Sequence, residues 1–204
     1  MSGLNFTSNI GALILAAGTS SRMEEIKQLL PWKNSTLLNH VIEQLKQANA
    51  AQIYVVLGAY QDEILNQLDT TNITVIINEN WSLGMGSSIA KAVKHIEDES
   101  VLYDGLLLTT SDQPLIDVNT YAKLINSSIN FNRIIATSYA KGYGIPAVFD
   151  KSYFSELKAL DQDKGAKSVI KNHLDHLILI DDPQAEFDLD TKGVYEKYYK
   201  MFGQ

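Results

Sequence analysis

The chain has 204 residues, a formal net charge of −7 and no cysteine. That length suffices for one buried core, the acidic balance argues against a general nucleic-acid surface, which needs a basic face, and the missing thiols exclude disulfides, thiolate metal sites and cysteine nucleophiles. No apolar run of about 18 residues is present to span a bilayer, and the polar stretch 1–9 lacks the basic and apolar regions of a signal peptide, so the expectation is a cytoplasmic protein with one domain over 1–204 and a flexible segment at 1–9.

The first predicted element is a strand at residues 12–16, which breaks into a turn of small residues and ends on two separated cations. Ala16, Ala17 and Gly18 leave the backbone uncovered, so its N–H groups can approach phosphate oxygens, and Thr19, Ser20 and Ser21 add hydroxyl donors. Arg22 and Lys27 supply the positive charge that a nucleotide tail and a departing pyrophosphate require. With Leu15 at the end of the strand, the segment reads as a triphosphate cradle. The plainer alternative is a strand-to-loop connection with solvated charges, which needs fewer small and hydroxyl residues than the six here. The segment is neither a Walker A loop nor a dinucleotide fingerprint, because Gly18 is its only glycine and no Gly-Lys-Ser/Thr follows.

The run LILAAGTSSRMEEIKQLLPWKNSTLL resembles the signature of the MobA-like nucleotidyltransferases, approximately LAAGxSxRMGxxKxLLP. It is most similar to the molybdenum cofactor cytidylyltransferase branch, since guanylyltransferase relatives usually carry Leu-Ala-Gly-Gly where this chain has Leu15-Ala16-Ala17-Gly18. The resemblance covers nearly the whole chain and implies magnesium-dependent transfer of CMP from CTP to a molybdopterin-type acceptor, with a molybdenum-containing hydroxylase as a protein partner. In this reading Arg22, Lys27 and Asp112 are catalytic, and the methyl group of Ala17 narrows the space beside the base in favour of cytosine. One departure is Glu24, which stands where the family has glycine after Arg-Met.

Further along, short apolar runs alternate with segments of helical period, the pattern of a doubly wound, mostly parallel α/β sheet with helices on both faces. Strands are expected at 12–16, 53–57, 73–77, 105–109, 134–137, 147–149 and 177–180. Between them, Leu37, Leu38, Val41, Ile42 and Leu45 in residues 36–48, and then Met85, Ile89, Val93 and Ile96, form apolar stripes of 3.6-residue period that read as core. The cleft is expected where strand C-termini meet at the switch point of the sheet. No Pro/Gly/Ser linker or internal repeat divides the chain.

The glycine-bearing loop at 78–88 leads into a helix, and its Asn and Ser side chains are directional donors and acceptors. It resembles the Asn-Pro-x-Trp-x-x-Gly-Met-x-x-Ser segment of the family, which assigns Asn78, Gly84 and Ser88 to base or ribose contacts, Ser87 less firmly; Trp81 reads as a residue that braces the loop. Asp112 follows the buried run 105–108. From spacing alone it is either a ligand for a hard divalent cation or an Asx-turn cap, and the resemblance to Gly-Asp-Gln/Met-Pro, with Ser111 for the glycine, implies the metal role.

A second acid is needed beside it, and Asp190 in Phe187-Asp188-Leu189-Asp190-Thr191 resembles the acid of a late Asp-Ile-Asp-Thr-Pro motif. A plain helix N-cap is its alternative. On the acceptor side, Ile145 replaces a family histidine, Gln162 a glycine and Lys167 an arginine, which keeps the charge but loses the bidentate fork. The four histidines have no evident nucleophile and acid partner. Transfer to a sugar phosphate, use of GTP, a non-catalytic nucleotide- or cofactor-binding chaperone of a molybdenum enzyme, and a nicotinamide-dependent oxidoreductase on the same fold are the other readings. The last lacks a Gly-x-Gly-x-x-Gly.

Overall fold

A computed structural model describes residues 9–99, 101–127, 132–140, 142–162 and 164–204; residues 1–8 of the segment expected to be flexible lie outside them. In chain order the elements are β1 (Ile10–Leu15), the short strands β2 (Pro31–Trp32) and β3 (Ser35–Thr36), α1 (Leu37–Gln47), β4 (Ile53–Leu57), α2 (Gln61–Leu65), β5 (Ile73–Ile77), α3 (Met85–Asp98), β6 (Gly105–Thr110) and α4 (Val118–Ser127). They continue with β7 (Ile134–Tyr139), β8 (Gly142–Asp150), α5 (Phe154–Lys158), α6 (Ala166–Asn172), β9 (Leu177–Asp181) and α7 (Lys192–Tyr198).

Seven strands form one sheet in the order β5-β4-β1-β6-β8-β7-β9, and β2 pairs with β3 in a separate hairpin. β1 is central, parallel to both β4 and β6, and every residue of β1 and β4 is buried. Strands covered by helices on both faces must be apolar throughout, which is why these two read as continuous runs rather than alternating ones. The expected strand at 147–149 is the end of a nine-residue β8 that runs antiparallel to both β6 and β7. An apolar run carries no information on direction.

The two faces of the sheet bury separate clusters. Leu13, Leu106, Leu108 and Phe149 pack with Ile89, Val93 and Ile96 of α3, while Ile14, Val55 and Leu107 pack with Leu38, Val41, Ile42 and Leu45 of α1 and with Tyr121 and Leu124 of α4. The two helical stripes expected to be core are therefore core, apart from Met85, which is exposed at the start of α3. Thr36 caps α1 by accepting from the Asn39 amide, as its type and position favour. A third cluster joins Met23, Leu30, Trp32 and Leu37 to Leu189 and the tyrosines of the C-terminal helix. This clasp returns the end of the chain to the loop after β1.

The strand sequence turns back on itself between β1 and β6, since the chain runs from β1 outward to β4 and β5 and then returns to β6 on the opposite side. The loops that follow β1 and β6 consequently flank one crevice, the place where open α/β sheets bind ligands. His40 of α1 supports the second of these loops, its Nε2 lying 3.2 Å from the Pro114 carbonyl. Burial, and next the charge of Lys33, push the His40 imidazole down to about 4. In the unfolded chain it titrates near 6.5, so between those values the unfolded state binds more protons and stability rises with pH. The contribution is complete above about pH 6.5 and drains as pH falls towards 4, by about 3 kcal/mol at most. The urea midpoint of the wild type is expected to fall across this window, and that of His40→Gln to fall measurably less.

Two residues that depart from the glycines of the motifs this chain resembles have left-handed backbone. Glu24 has φ +59° and Gln162 has φ +48°, the left-handed region that costs a residue with a Cβ about 1–2 kcal/mol. Both positions have the backbone conformation that favours glycine, and this chain tolerates the strain. Glu24→Gly is expected to raise stability by up to about 1 kcal/mol, because relief of strain exceeds the added chain entropy; urea unfolding measures it.

Candidate active site

A cavity of about 350 Å³ opens at the crevice, lined by residues 15–22, Lys27 and Gln28, by Trp81, Ser82, Gly84, Met85 and Ser88, and by Thr110, Ser111, Asp112 and Asp190. It has the size of a small-ligand site. Of the residues singled out from sequence, Leu15, Ala16, Ala17, Gly18, Thr19, Ser20, Arg22, Lys27, Gly84, Ser88, Asp112 and Asp190 all line it. Asn78 does not.

The loop after β1 is held by Gln28, a residue whose role no local sequence pattern marks. Gln28 is buried and its Nε2 donates to the carbonyls of Ala16 at 2.8 Å and Gly18 at 3.2 Å, while its Oε1 accepts from Ser20 Oγ at 3.3 Å. The Ala17 carbonyl accepts from the Ala59 amide at 3.0 Å. Three consecutive carbonyls are therefore committed to protein donors, which keeps their negative ends off an incoming anion. Ser20 Oγ also accepts from the Lys27 amide at 3.2 Å, tying the start of the loop to the lysine that ends it.

The charged groups meet at one point. Lys27 Nζ donates to Asp112 Oδ2 at 2.9 Å and to Asp190 Oδ1 at 2.8 Å, and Arg22 Nη2 donates to the other oxygen of Asp190 at 3.0 Å. Burial alone would push the Lys27 pKa down, but the two carboxylates outweigh it and hold it above the ordinary lysine value. Burial likewise opposes ionisation of Asp190, and Lys27 and then Arg22 reverse the effect and keep its pKa low. Asp188 lies nearby, its carboxyl pushed up to about 6 by desolvation, with the charges of Asp112 and Asp190 adding to it. The capping alternatives are filled by other residues. Asp117, not Asp112, accepts from the first amides of α4, and Thr191, not Asp190, caps α7. The Leu189 amide donates to the Asp112 carbonyl at 2.9 Å, which brings the two acidic segments into register.

Two carboxylate oxygens within hydrogen-bond reach of a single ammonium border one cation-sized space, and hard oxygen donors suit a divalent cation such as magnesium, which commonly takes one or two carboxylates and fills its other positions with water and phosphate. Among the described residues no group of three or more His, Cys, Asp and Glu side chains is arranged to hold a metal by itself.

Across the cavity, the expected base-contacting role of Asn78 needs correction. Its side chain is buried, with Nδ2 donating to Ser87 Oγ and Ser88 Oγ at 3.0 Å each and Oδ1 accepting from the Asn80 amide. A strongly hydrogen-bonding side chain in a loop looks the same in sequence whether it faces a ligand or its own backbone; here it shapes the loop. Trp81 packs so closely on Gly58 that a methyl group there would overlap it, and it also lines the cavity. The Gln162 turn docks onto the start of α3, where the Gly86 amide donates to the Gln162 carbonyl at 2.9 Å.

On the side where an acceptor was expected, Lys167 lies with its Nζ 5.9 Å from the Tyr143 ring centroid, and neither Ile145 nor Lys167 lines the cavity. Gln113 reaches across this region, donating to the Ala185 carbonyl at 3.0 Å and the Ile145 carbonyl at 3.4 Å. His173 and His176 are engaged with Glu156 and Tyr153, away from the cavity.

Comparison with known proteins places this geometry in context. The chain is 36% identical over 122 residues to the bifunctional protein GlmU of Ruthia magnifica, of whose length it spans about a quarter, 26%. It is 31% identical to the molybdenum cofactor cytidylyltransferase of Escherichia coli over 57% of this chain and 58% of that protein. Similarity to the nicotine blue oxidoreductase of Paenarthrobacter nicotinovorans is lower, 26%, but extends over 94% of this chain and 96% of that one. Among solved structures, the homologue of Mycobacterium tuberculosis Rv0371c from Mycobacterium sp. strain JC1 superposes with a TM-score of 0.82 at 28% identity, covering 95% and 96% of the two chains. The Mycobacterium tuberculosis protein itself, in complex with manganese, gives 0.73 at 25% identity, covering 95% of this chain and 99% of that one. No helix among the described residues is long and apolar enough to cross a membrane. The model of the MobA-like NTP transferase domain matches residues 12–177, from the first core strand through the phosphate-loop candidate and Asp112 to the last strand of the sheet, and the chain belongs to that nucleotidyltransferase family.

Proposed function

We propose that this protein is a cytoplasmic nucleotidyltransferase, a single domain that transfers CMP from CTP to the terminal phosphate of a molybdopterin-type acceptor and releases pyrophosphate. The observation that carries the reading is the convergence of Arg22, Lys27, Asp112 and Asp190 on the cavity beside the loop after β1. Two cations suited to phosphate and two acids suited to a hard metal are the parts that phosphoryl chemistry needs. The similarity to the cytidylyltransferase supports the nucleotide and the acceptor, and a molybdenum-containing hydroxylase is then the expected recipient of the product.

In this mechanism the loop of Ala16, Ala17, Gly18, Thr19 and Ser20 receives the triphosphate, and Gly84 and Ser88 border the base and ribose. An acceptor phosphate oxygen, already ionised at neutral pH, attacks the α-phosphorus; the new P–O bond forms as the α–β bridge breaks, and pyrophosphate leaves with the electron pair. No strong general base is required, so the protein contributes alignment and charge. Arg22 and Lys27 neutralise the leaving pyrophosphate. Magnesium held by Asp112 and Asp190 would supply Lewis-acid stabilisation of charge on the α-phosphate.

A second reading is an oxidoreductase, favoured by one observation, the end-to-end similarity to the nicotine blue oxidoreductase. Pyrophosphate release with CTP, magnesium and molybdopterin, run beside NADH and NADPH consumption with candidate electron acceptors, separates the two. Pyrophosphate without nicotinamide oxidation is the expected result, and the converse overturns the reading. Repetition with GTP and with sugar phosphates tests donor and acceptor identity.

Lys27→Ala is expected to lower turnover by about a hundredfold or more, the usual loss when one electrostatic stabiliser is removed. Asp112→Asn and Asp190→Asn should each abolish metal-supported transfer while nucleotide still binds, and normal metal dependence in either variant excludes that acid from the site. Ala17 lines the cavity, and its methyl group should favour CTP over GTP by about 10- to 200-fold. Ala17→Gly is expected to shift the ratio of the two kcat/KM values towards GTP; an unchanged ratio places base selection in the 78–88 loop.

A further inference from the structure

The same contacts define a competition. Lys27 Nζ bonds one oxygen of Asp112 and one of Asp190 at once, and its side chain is only 11% exposed, against 21% for Asp112 and 36% for Asp190. The same two carboxylates are the ones that would hold a divalent cation, and their oxygens facing each other across the ammonium border the space between them. An ammonium and a metal ion cannot hold the same pair of oxygens, because both would occupy the space between them and repel each other at contact distance. Arg22, 68% exposed, contributes little to this balance because its pair is screened by solvent.

We infer that Lys27 is the resident cation of the acid pair, that a divalent metal binds only by displacing it, and that the displaced ammonium is received by the nucleotide triphosphate, so that metal and nucleotide bind with positive coupling. The inference rests on the metal-assisted reading of the site above and adds a reason for its order. A lysine displaced from both acids loses its charge partners, and its most direct alternative partner is the phosphate chain that the neighbouring loop would hold. Coupling of this kind is reciprocal and is commonly 5- to 150-fold. It would leave the site self-neutralised, with neither metal nor free nucleotide bound tightly alone, until both arrive.

The test reads metal binding directly, without turnover. Manganese(II) is titrated alone into the full chain and free ion is followed by electron paramagnetic resonance, for the wild type, Lys27→Met, Lys27→Gln, Asp112→Asn, and each lysine variant combined with Asp112→Asn. The neutral variants are expected to bind manganese at least tenfold more tightly than the wild type, and Asp112→Asn to remove the gain. Equal or weaker binding by variants shown to be folded by circular dichroism, with Asp112→Asn still lowering what binding there is, overturns the competition and leaves the metal site standing. Binding insensitive to Asp112→Asn in every background overturns both. A wild-type measurement covers the case in which removal of Lys27 prevents folding: acetic anhydride labelling of Lys27, resolved by peptide mass spectrometry, is expected to rise at least threefold when manganese alone is saturating, and an unchanged rate overturns the inference.

Discussion

Three distant parts of the chain are held together by one ammonium group. Lys27 comes from the loop after β1, Asp112 from the loop after β6 and Asp190 from the segment before α7, and the lysine bonds both acids within 3 Å. Hydrogen bonds to charged partners contribute about 1.5–3 kcal/mol each where they are sheltered from water, but the larger consequence is asymmetric. Removing the lysine would leave two neighbouring carboxylates to repel one another, and removing the acids would leave a buried cation. The site is a balanced set of charges whose members have value only together.

That balance depends on the sheet. Because β1 lies between β4 and β6, the loops leaving β1 and β6 emerge side by side, and no other pair of loops in this strand order would place Lys27 against Asp112. The third partner arrives by a different route. Leu189 is buried among Met23, Leu30, Trp32 and Leu37, and its amide donates to the Asp112 carbonyl, so apolar burial of one residue sets the position of the acid that follows it. Gln28 completes the arrangement, fixing the Ala16 and Gly18 carbonyls of the loop after β1 with its buried side-chain amide.

The relatives of this chain include a cytidylyltransferase, bifunctional GlmU proteins and an oxidoreductase. A shared sheet with loops at its switch point can serve several chemistries, because fold alone does not determine reaction. In this protein the side of the cavity assigned to the donor is built from well-satisfied polar groups, whereas Ile145, Gln162 and Lys167, which depart from the family pattern, lie beyond the cavity lining.

The sequence by itself determined the α/β class, all seven strands of the sheet and both apolar helical stripes, because burial between two helical layers demands continuous apolar runs, and it singled out the small residues and cations of the loop after β1 that line the cavity. At Glu24 and Gln162 the sequence showed only departures from the motifs it resembles, and the left-handed backbone there is a finding of the structure. Tertiary structure alone decided which polar groups are spent internally. Asn78 reads as a ligand contact and is consumed by Ser87, Ser88 and Asn80; Gln28 reads as an unremarked neighbour of Lys27 and holds the loop. The antiparallel direction of β8, the clasp by the C-terminal helix and the pairing of Lys27 with both acids belong to the same group. Each depends on contacts between residues far apart in the chain, and local periodicity and residue type carry no record of them.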